Sequence, residues 1–189
     1  IMISSSLQIV SGSCLWTPDQ VQIDNAEITN FAAFLQSRTQ FNWNQDFQSL
    51  WHWSVDNIPE FWNLLWDWHG IIGDKGNRIL ENADNMHSAK FFPDAYLNFA
   101  ENLLLDADDS LAICAHGEDG RVTRLTRAEL KKQVFNLAGW LQAEGVTQGD
   151  RVAAYTTNSV ESVITMLATA SLGAVFSSCS PDFGLQGVY

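Results

Sequence analysis

GDRVAAYTTNSVESVITMLATASLGAVFSS, residues 149–178, contains two short apolar segments separated by a segment with helical periodicity. Four aliphatic residues between 160 and 167 recur at the spacing of one helix face, and Gly173 follows as a helix-ending glycine. The flanking segments, 149–157 and 174–178, are predicted to be strands. Because the connection is long enough to cross over a sheet, the pattern predicts a parallel β–α–β unit.

Both predicted strands run into polar loops, TTNS (156–159) and SSCSPDFG (177–184), at the strand ends where open parallel sheets gather ligands. The second loop has the pattern of a helix start, with Ser180 as N-cap, Pro181 in the first helical position and Asp182 in the first turn. Two interpretations stand: the loop starts a helix, or it lines a ligand site. Free N–H groups at a helix start favour an anion, but the Asp182 carboxylate opposes a phosphate there.

The residues before this unit predict a hairpin and a helix. Residues 110–126 contain two strand-like segments around EDG (118–120), which has hairpin turn chemistry. Thr126 and Glu129 form a capping-box pattern at the start of a helix that ends at Gly145. Together with the β–α–β unit, this predicts an α/β fold. The apolar strands further predict a sheet covered on both faces.

The region 1–105 carries seven of the eight tryptophans and predicts helices. DNAE (24–27) is interpreted as a capping box with Asp24 as N-cap, and the helix that follows is expected to bury Ile28 and Leu35 on one face. Further helices are predicted over 45–57, with Phe47, Leu50, Trp51 and Ser54 on one stripe, over 59–70 and over 97–105. Helical spacing of the rings favours packing between helices over the alternative, an aromatic ligand groove.

Composition restricts the classes of partner and compartment. The net charge of −12 argues against nucleic acid and against anionic membrane surfaces. No basic residue precedes Arg38, as a signal peptide would need, and the longest apolar run, 163–176, is too short to span a bilayer. A cytoplasmic location is therefore expected. Cys14, Cys114 and Cys179 form no CxxC pair and are expected to be reduced, mostly buried thiols, so no metal site is predicted.

Motifs that assemble a catalytic centre are missing from the sequence. It contains no GxxxxGK[ST], no HExxH and no GxSxG, and no GxGxxG follows a strand. The four histidines are isolated and are interpreted as surface or packing residues. Cys179 has no histidine near it in sequence, so it is interpreted as a buried thiol rather than a nucleophile. No catalytic residue is predicted within this chain.

Several separated motifs resemble those of the AMP-forming acyl-CoA synthetases, members of the adenylate-forming superfamily. They are LWTPD (15–19), FWNLLWDW (61–68), FFPDAYLNFAENLL (91–104) and the segment 145–188, which contains SSCSPDFG. Together they are similar to the subgroup of acetoacetyl-CoA synthetases, the acetoacetate–CoA ligases. The resemblance runs from about residue 14 to the end of the chain.

The resemblance implies a ligase that uses acetoacetate, ATP and CoA as small-molecule substrates, with Mg²⁺, and that forms an acyl-adenylate and pyrophosphate before making acetoacetyl-CoA and AMP. It implies that residues 1–105 are an N-terminal helical extension and that residues 106–189 are the start of the AMP-binding, adenylating domain. The phosphate-binding loop, the adenine-recognition segment, the Mg-coordinating acid and the catalytic lysine of that family come later in its sequences.

Within this chain, the resemblance places Ser180, Pro181 and Asp182 in a wall of the CoA channel. The chain is interpreted as an N-terminal part of the ligase that is inactive alone. An unpaired sheet edge is expected to make it self-associate. The alternative to a ligase is a non-enzymatic α/β binding or scaffold domain that presents its aromatic rings to a partner.

Overall fold

The computed structural model describes residue 12 and residues 14–188, which fall into two compact units, one ending at Gly70 and one beginning at Ile71. The helices of the first unit are α1 (Gln20–Asp24), α2 (Glu27–Arg38), α3 (Phe47–Asp56) and α4 (Ile58–Trp68). The elements of the second unit are β1 (Leu80–Glu81), β2 (Lys90–Phe91), α5 (Phe99–Leu103), β3 (Leu111–His116), β4 (Val122–Thr126), α6 (Arg127–Ala143), β5 (Arg151–Tyr155), α7 (Val160–Ser171), β6 (Val175–Cys179) and α8 (Leu185–Val188). The predicted α/β class, a helical region followed by a hairpin and a β–α–β unit, is confirmed.

Aromatic rings form much of the core of the first unit. The Phe31 ring lies 5.8 Å from the Phe61 ring and 5.9 Å from the Trp68 ring, and the Phe34 ring lies 5.2 Å from Trp68, measured between centroids. Such tilted and edge-to-face contacts add to the stabilisation from burial alone. For these rings the predicted packing between helices is confirmed. Leu35, which is fully buried, lies in the same cluster.

The capping prediction for Asp24 is wrong. Asp24 is the last residue of α1, and the capping box of that helix is formed by Asp19 and Gln22, whose side chains bond each other's backbone N–H groups at 2.8 and 2.9 Å. Helix α2 begins after Ala26, which offers no side-chain cap. Asp24 thus lies close to a helix start, as predicted, but it ends α1 and does not cap α2.

The predicted apolar stripes of the first unit are only partly right. On α3, Leu50 is buried, whereas Phe47 and Trp51 are exposed and Trp53 packs on the core instead. On α2, Ile28 is exposed while the later members of its stripe are buried. Helix α4 ends as predicted, with Gly70 at a φ of +58°, a conformation that glycine adopts without steric cost.

In the second unit the hairpin and its helix form as predicted. Strands β3 and β4 pair antiparallel, and a turn at residues 117–121 joins them. The Thr126 hydroxyl accepts from the Glu129 N–H at 3.2 Å, and the Glu129 carboxylate accepts from the Thr126 N–H at 2.9 Å. This reciprocal capping starts α6, whose buried face includes Val134 and Leu141.

Strands β5 and β6 pair in parallel around the crossover helix α7, as predicted. Val152 lies opposite Phe176 in this register, and both side chains are half-buried with an exposed residue on either side of them along the strand. The prediction of a sheet covered on both faces is wrong for the described residues, because Tyr155 and Val175 remain 58% and 54% exposed. Only one face of the pair is covered here.

Residues 71–105 belong to the second compact unit. Asn102 bonds both backbone groups of Ile72, accepting from its N–H at 2.8 Å and donating to its carbonyl at 2.9 Å. Ala100 and Leu104 are buried with α6 and α7. These contacts describe how residues 71–105 pack. The division into an extension of residues 1–105 and an adenylating region of residues 106–189 stays a prediction.

Self-association of the isolated chain is expected from the β5–β6 sheet. Within the described residues each of these strands has one unpaired edge, and an exposed edge with apolar neighbours is a template for pairing. Light scattering coupled to size exclusion should show dimers or larger species at high protein concentration. Val175→Lys should reduce their fraction, because a charge on the exposed face opposes pairing. A monomer at every concentration would contradict this prediction.

Candidate functional site

The candidate site lies at the carboxyl ends of β5 and β6. Tyr155 and Cys179 are the last residues of these strands and lie opposite each other in the parallel register. The Thr156 N–H donates to the Cys179 carbonyl at 3.2 Å, which extends the ladder by one step into the two loops. The strand ends therefore place residues 156–159 beside residues 180–184, the two loops that the sequence singled out.

The loop after β6 is a turn and not the predicted helix start. Ser180 does not cap a helix: its backbone carbonyl accepts from the Phe183 N–H at 3.1 Å, which closes a turn over Pro181 and Asp182. Helix α8 begins only at Leu185. The Ser–Pro–Asp pattern suits a turn as well as a helix start, since proline and aspartate are favoured in both.

The backbone N–H groups of Asp182 and Phe183 form hydrogen bonds within the turn itself. The Asp182 N–H donates to the Ser180 hydroxyl at 3.2 Å, and the Ser180 hydroxyl donates to the Asp182 carboxylate at 2.9 Å. With the Phe183 N–H also engaged, these amides are not available to an anion. The turn therefore offers its side chains to a ligand, since Pro181, Asp182 and Phe183 are all exposed.

Sequence reasoning missed the hydrogen bonds that link the end of β5 to this loop. The Tyr155 hydroxyl lies 2.8 Å from the Pro181 carbonyl and 3.2 Å from the Phe183 carbonyl. A tyrosine near the end of a predicted strand, directly before the polar segment 156–159, was the available signal. Its partners are 26 and 28 residues away, so the bond itself could not be read from local spacing.

The neighbouring loop, residues 156–159, leads into α7 with Ser159 as the N-cap residue. Hydrogen bonding by the Ser159 side chain holds the pKa of Glu161 below its ordinary value, so this carboxylate stays ionised near neutral pH. A negative charge in the first turn of α7 stabilises the helix. The position of Glu161 is explained by this interaction with the start of α7.

The cysteines are free thiols, as predicted, but their predicted burial is wrong: Cys14 and Cys114 are exposed and Cys179 is half-buried. Cys114 lies on the hairpin, with its sulfur 3.6 Å from His116 Nε2, and this pair belongs to a different element from the candidate site. In the described part of the chain, no three His, Cys, Asp or Glu side chains are grouped closely enough to hold a metal ion. The described residues therefore form no cluster that could enclose a metal ion by protein side chains alone.

None of the described helices is long and apolar enough to cross a membrane.

Comparison with known proteins identifies the relatives of the chain. Residues 106–188 match the model of the AMP-binding enzyme family. Acetoacetyl-coenzyme A synthetase of Rhizobium meliloti is 42% identical over 92% of this chain and 27% of its own length. Acetoacetyl-CoA synthetase of Danio rerio is 35% identical over 98% of this chain and 28% of its own length.

A solved structure gives the same result in three dimensions. Acetoacetyl-CoA synthetase from Streptomyces lividans superposes with a TM-score of 0.79 at 35% identity, covering 92% of this chain and 27% of that one. The chain thus spans little more than a quarter of the length of these relatives. Residues 106–188 therefore match the AMP-binding enzyme family, and the chain is homologous over nearly its whole length to a part of the acetoacetyl-CoA synthetases.

Proposed function

We propose that the protein to which these residues belong is a cytoplasmic acetoacetate–CoA ligase. In the first step acetoacetate attacks ATP to form acetoacetyl-adenylate and pyrophosphate. In the second step the CoA thiol displaces AMP and forms acetoacetyl-CoA. The observation that carries this proposal is the similarity over nearly the whole chain, in sequence and in fold, to acetoacetyl-CoA synthetases.

The part of this chain proposed to meet a substrate is the turn at Ser180, Pro181 and Asp182, as one wall of the site for the adenosine of CoA. The proposal is supported by the turn's position at the carboxyl ends of two parallel strands. Residues 1–105 would act as the extension, and residues 106–189 as the start of the adenylating domain.

The chemistry of the turn favours adenosine over phosphate as its ligand. Two of its amides are already bonded, and the Asp182 carboxylate would repel a phosphate. The exposed Phe183 ring offers a flat apolar surface to a purine, and the second oxygen of Asp182 can accept from a hydroxyl or an amino group. The phosphates of CoA would therefore have to be held by residues outside this turn.

The activity is tested by acetoacetate-dependent exchange of labelled pyrophosphate into ATP. We expect exchange with the protein encoded by the whole open reading frame that contains these residues. The 189-residue chain alone should show none, because it spans little more than a quarter of the length of its ligase relatives, and the resemblance places the phosphate-binding loop, whose donors stabilise the transferring phosphoryl charge, later in the sequence. Exchange by the short chain would refute its predicted inactivity.

Substrate choice is tested in the same assay with acetate and propionate in place of acetoacetate. The proposal expects acetoacetate to support the fastest exchange at equal concentration. Faster exchange with acetate would keep the ligase chemistry and overturn the assignment of acetoacetate. Absence of exchange with all three acids would overturn the ligase itself and would favour the scaffold alternative.

A further inference from the structure

The Tyr155 hydroxyl ties the end of β5 to the turn after β6. Its oxygen is 2.8 Å from the Pro181 carbonyl and 3.2 Å from the Phe183 carbonyl. A phenol has one proton to donate, so the shorter distance marks the Pro181 carbonyl as the main acceptor and the Phe183 carbonyl as the weaker one. The two carbonyls converge on a single donor.

The other hydrogen bonds of the turn are local. Ser180 bonds Asp182 and Phe183, two and three residues further along the chain, and such bonds shape the turn without fixing it to the sheet. In the described part of the chain, the Tyr155 hydroxyl at the end of β5 is the group that forms hydrogen bonds with the turn itself. The next residue, Thr156, donates its N–H to the Cys179 carbonyl, which lies before the turn. The orientation of Pro181 and Phe183 relative to the sheet therefore depends on Tyr155.

This tie also decides which groups the turn presents to a ligand. Because the Pro181 and Phe183 carbonyls point to the Tyr155 hydroxyl, they are not directed towards a ligand. The outward surface then consists of the Pro181 ring, the Asp182 carboxylate and the Phe183 ring. If the hydroxyl were lost, the carbonyls could turn outward and the Phe183 ring would lose its fixed position.

We infer that Tyr155 is a positioning residue for CoA: its hydroxyl holds Pro181 and Phe183 so that their rings form a preorganised surface for the adenosine. This inference rests on the proposed role of the turn in CoA binding. Preorganisation raises affinity because the ordering of the loop is completed before the ligand binds.

The test compares the wild-type protein from the whole open reading frame with Tyr155→Phe, which keeps the ring and removes the hydroxyl. Amide exchange of residues 182–187 should accelerate on the order of fivefold, the effect of losing one ordinary hydrogen bond. The dissociation constant for CoA, measured by calorimetry, should rise on the order of fivefold for the same reason.

The matched control is Tyr96→Phe, the same change at a tyrosine that is 75% exposed and lies outside the loop. It should change neither the loop exchange nor the affinity for CoA. Unchanged amide exchange in Tyr155→Phe would overturn the tie. Faster exchange with an unchanged dissociation constant for CoA would overturn the positioning role.

Failure of the proposed function has a separate signature. It would appear as the absence of acetoacetate-dependent exchange in the wild-type protein. Calorimetry with CoA still decides the role of Tyr155 in that case, because it needs no turnover: a weaker affinity in Tyr155→Phe supports the inference, and equal affinity or no binding by either protein refutes it.

Discussion

Replacing Asn98 by alanine is expected to lower the free energy of unfolding of the second unit by about 2–3 kcal/mol. This side chain serves two helices at once. Its oxygen accepts from the Glu101 N–H at 3.0 Å and caps the start of α5. Its amide nitrogen lies 3.1 Å from each of the Ala170 and Ser171 carbonyls at the end of α7.

The expected size follows from these two roles. An N-cap removed to alanine costs about 1 kcal/mol. The carbonyls in the last turn of a helix have no partner within the helix, so a donor lost from a partly buried site costs a further ~1–2 kcal/mol. Alanine removes both contributions together. The urea dependence of amide exchange in α6 and α7 would measure the change in the second unit directly.

Asn98→Ser separates the two roles. Serine is a good N-cap, so it should preserve the start of α5, but it is too short to reach the end of α7. We expect about half the loss seen with alanine. Equal stability of the serine variant and wild type would show that the contact with α7 contributes nothing, and equal stability of the alanine variant would contradict the prediction as a whole.

Asn98 also shows which parts of the fold were accessible from sequence. A helix was predicted over 97–105, and the capping of α5 by Asn98 was accessible from local pattern because its partner Glu101 lies three residues away. The bonds of Asn98 to α7 were not, because their partners lie 72 and 73 residues away. The same distinction separates the correctly predicted Thr126–Glu129 capping box from the unpredicted bonds between Asn102 and Ile72, which lie 30 residues apart.

Errors arose where one local pattern suits two structures. Asp24 could start a helix or end one, and the earlier box at Asp19 decided which. Ser180 could cap a helix or begin a turn. The structure has the turn, and the Tyr155 hydroxyl bonds the Pro181 carbonyl within it. The parallel β–α–β unit was predictable because the length of the connection, the helical periodicity and the crossover rule all agreed. Burial of the second face of the β5–β6 sheet depends on neighbouring elements, which the pattern of the strands alone does not specify.

Periodicity also predicted which face of α2 is apolar, but not how deeply each residue is buried. Ile28 and Leu35 lie on one stripe of this helix, yet Ile28 is 41% exposed and Leu35 is fully buried. Leu35 belongs to a cluster with Phe31, Leu50 and Leu64, contributed by three helices. An apolar stripe can run the whole length of a helix, whereas the neighbouring helices cover only part of that length.

Leu35→Ala is therefore expected to destabilise the first unit by about 3–4 kcal/mol, the range for a leucine truncated where the surroundings cannot collapse into the cavity. A unit of this size has only a small core, so the loss is a large fraction of its stability. Urea unfolding followed by tryptophan fluorescence reports on this unit, because seven of the eight tryptophans lie within it. Ile28→Ala, on the same helix about two turns earlier, should cost less than about 1 kcal/mol because its side chain is already partly in water. If both variants lost the same free energy, the core of this unit would not be organised around Leu35, and burial along α2 would follow periodicity alone.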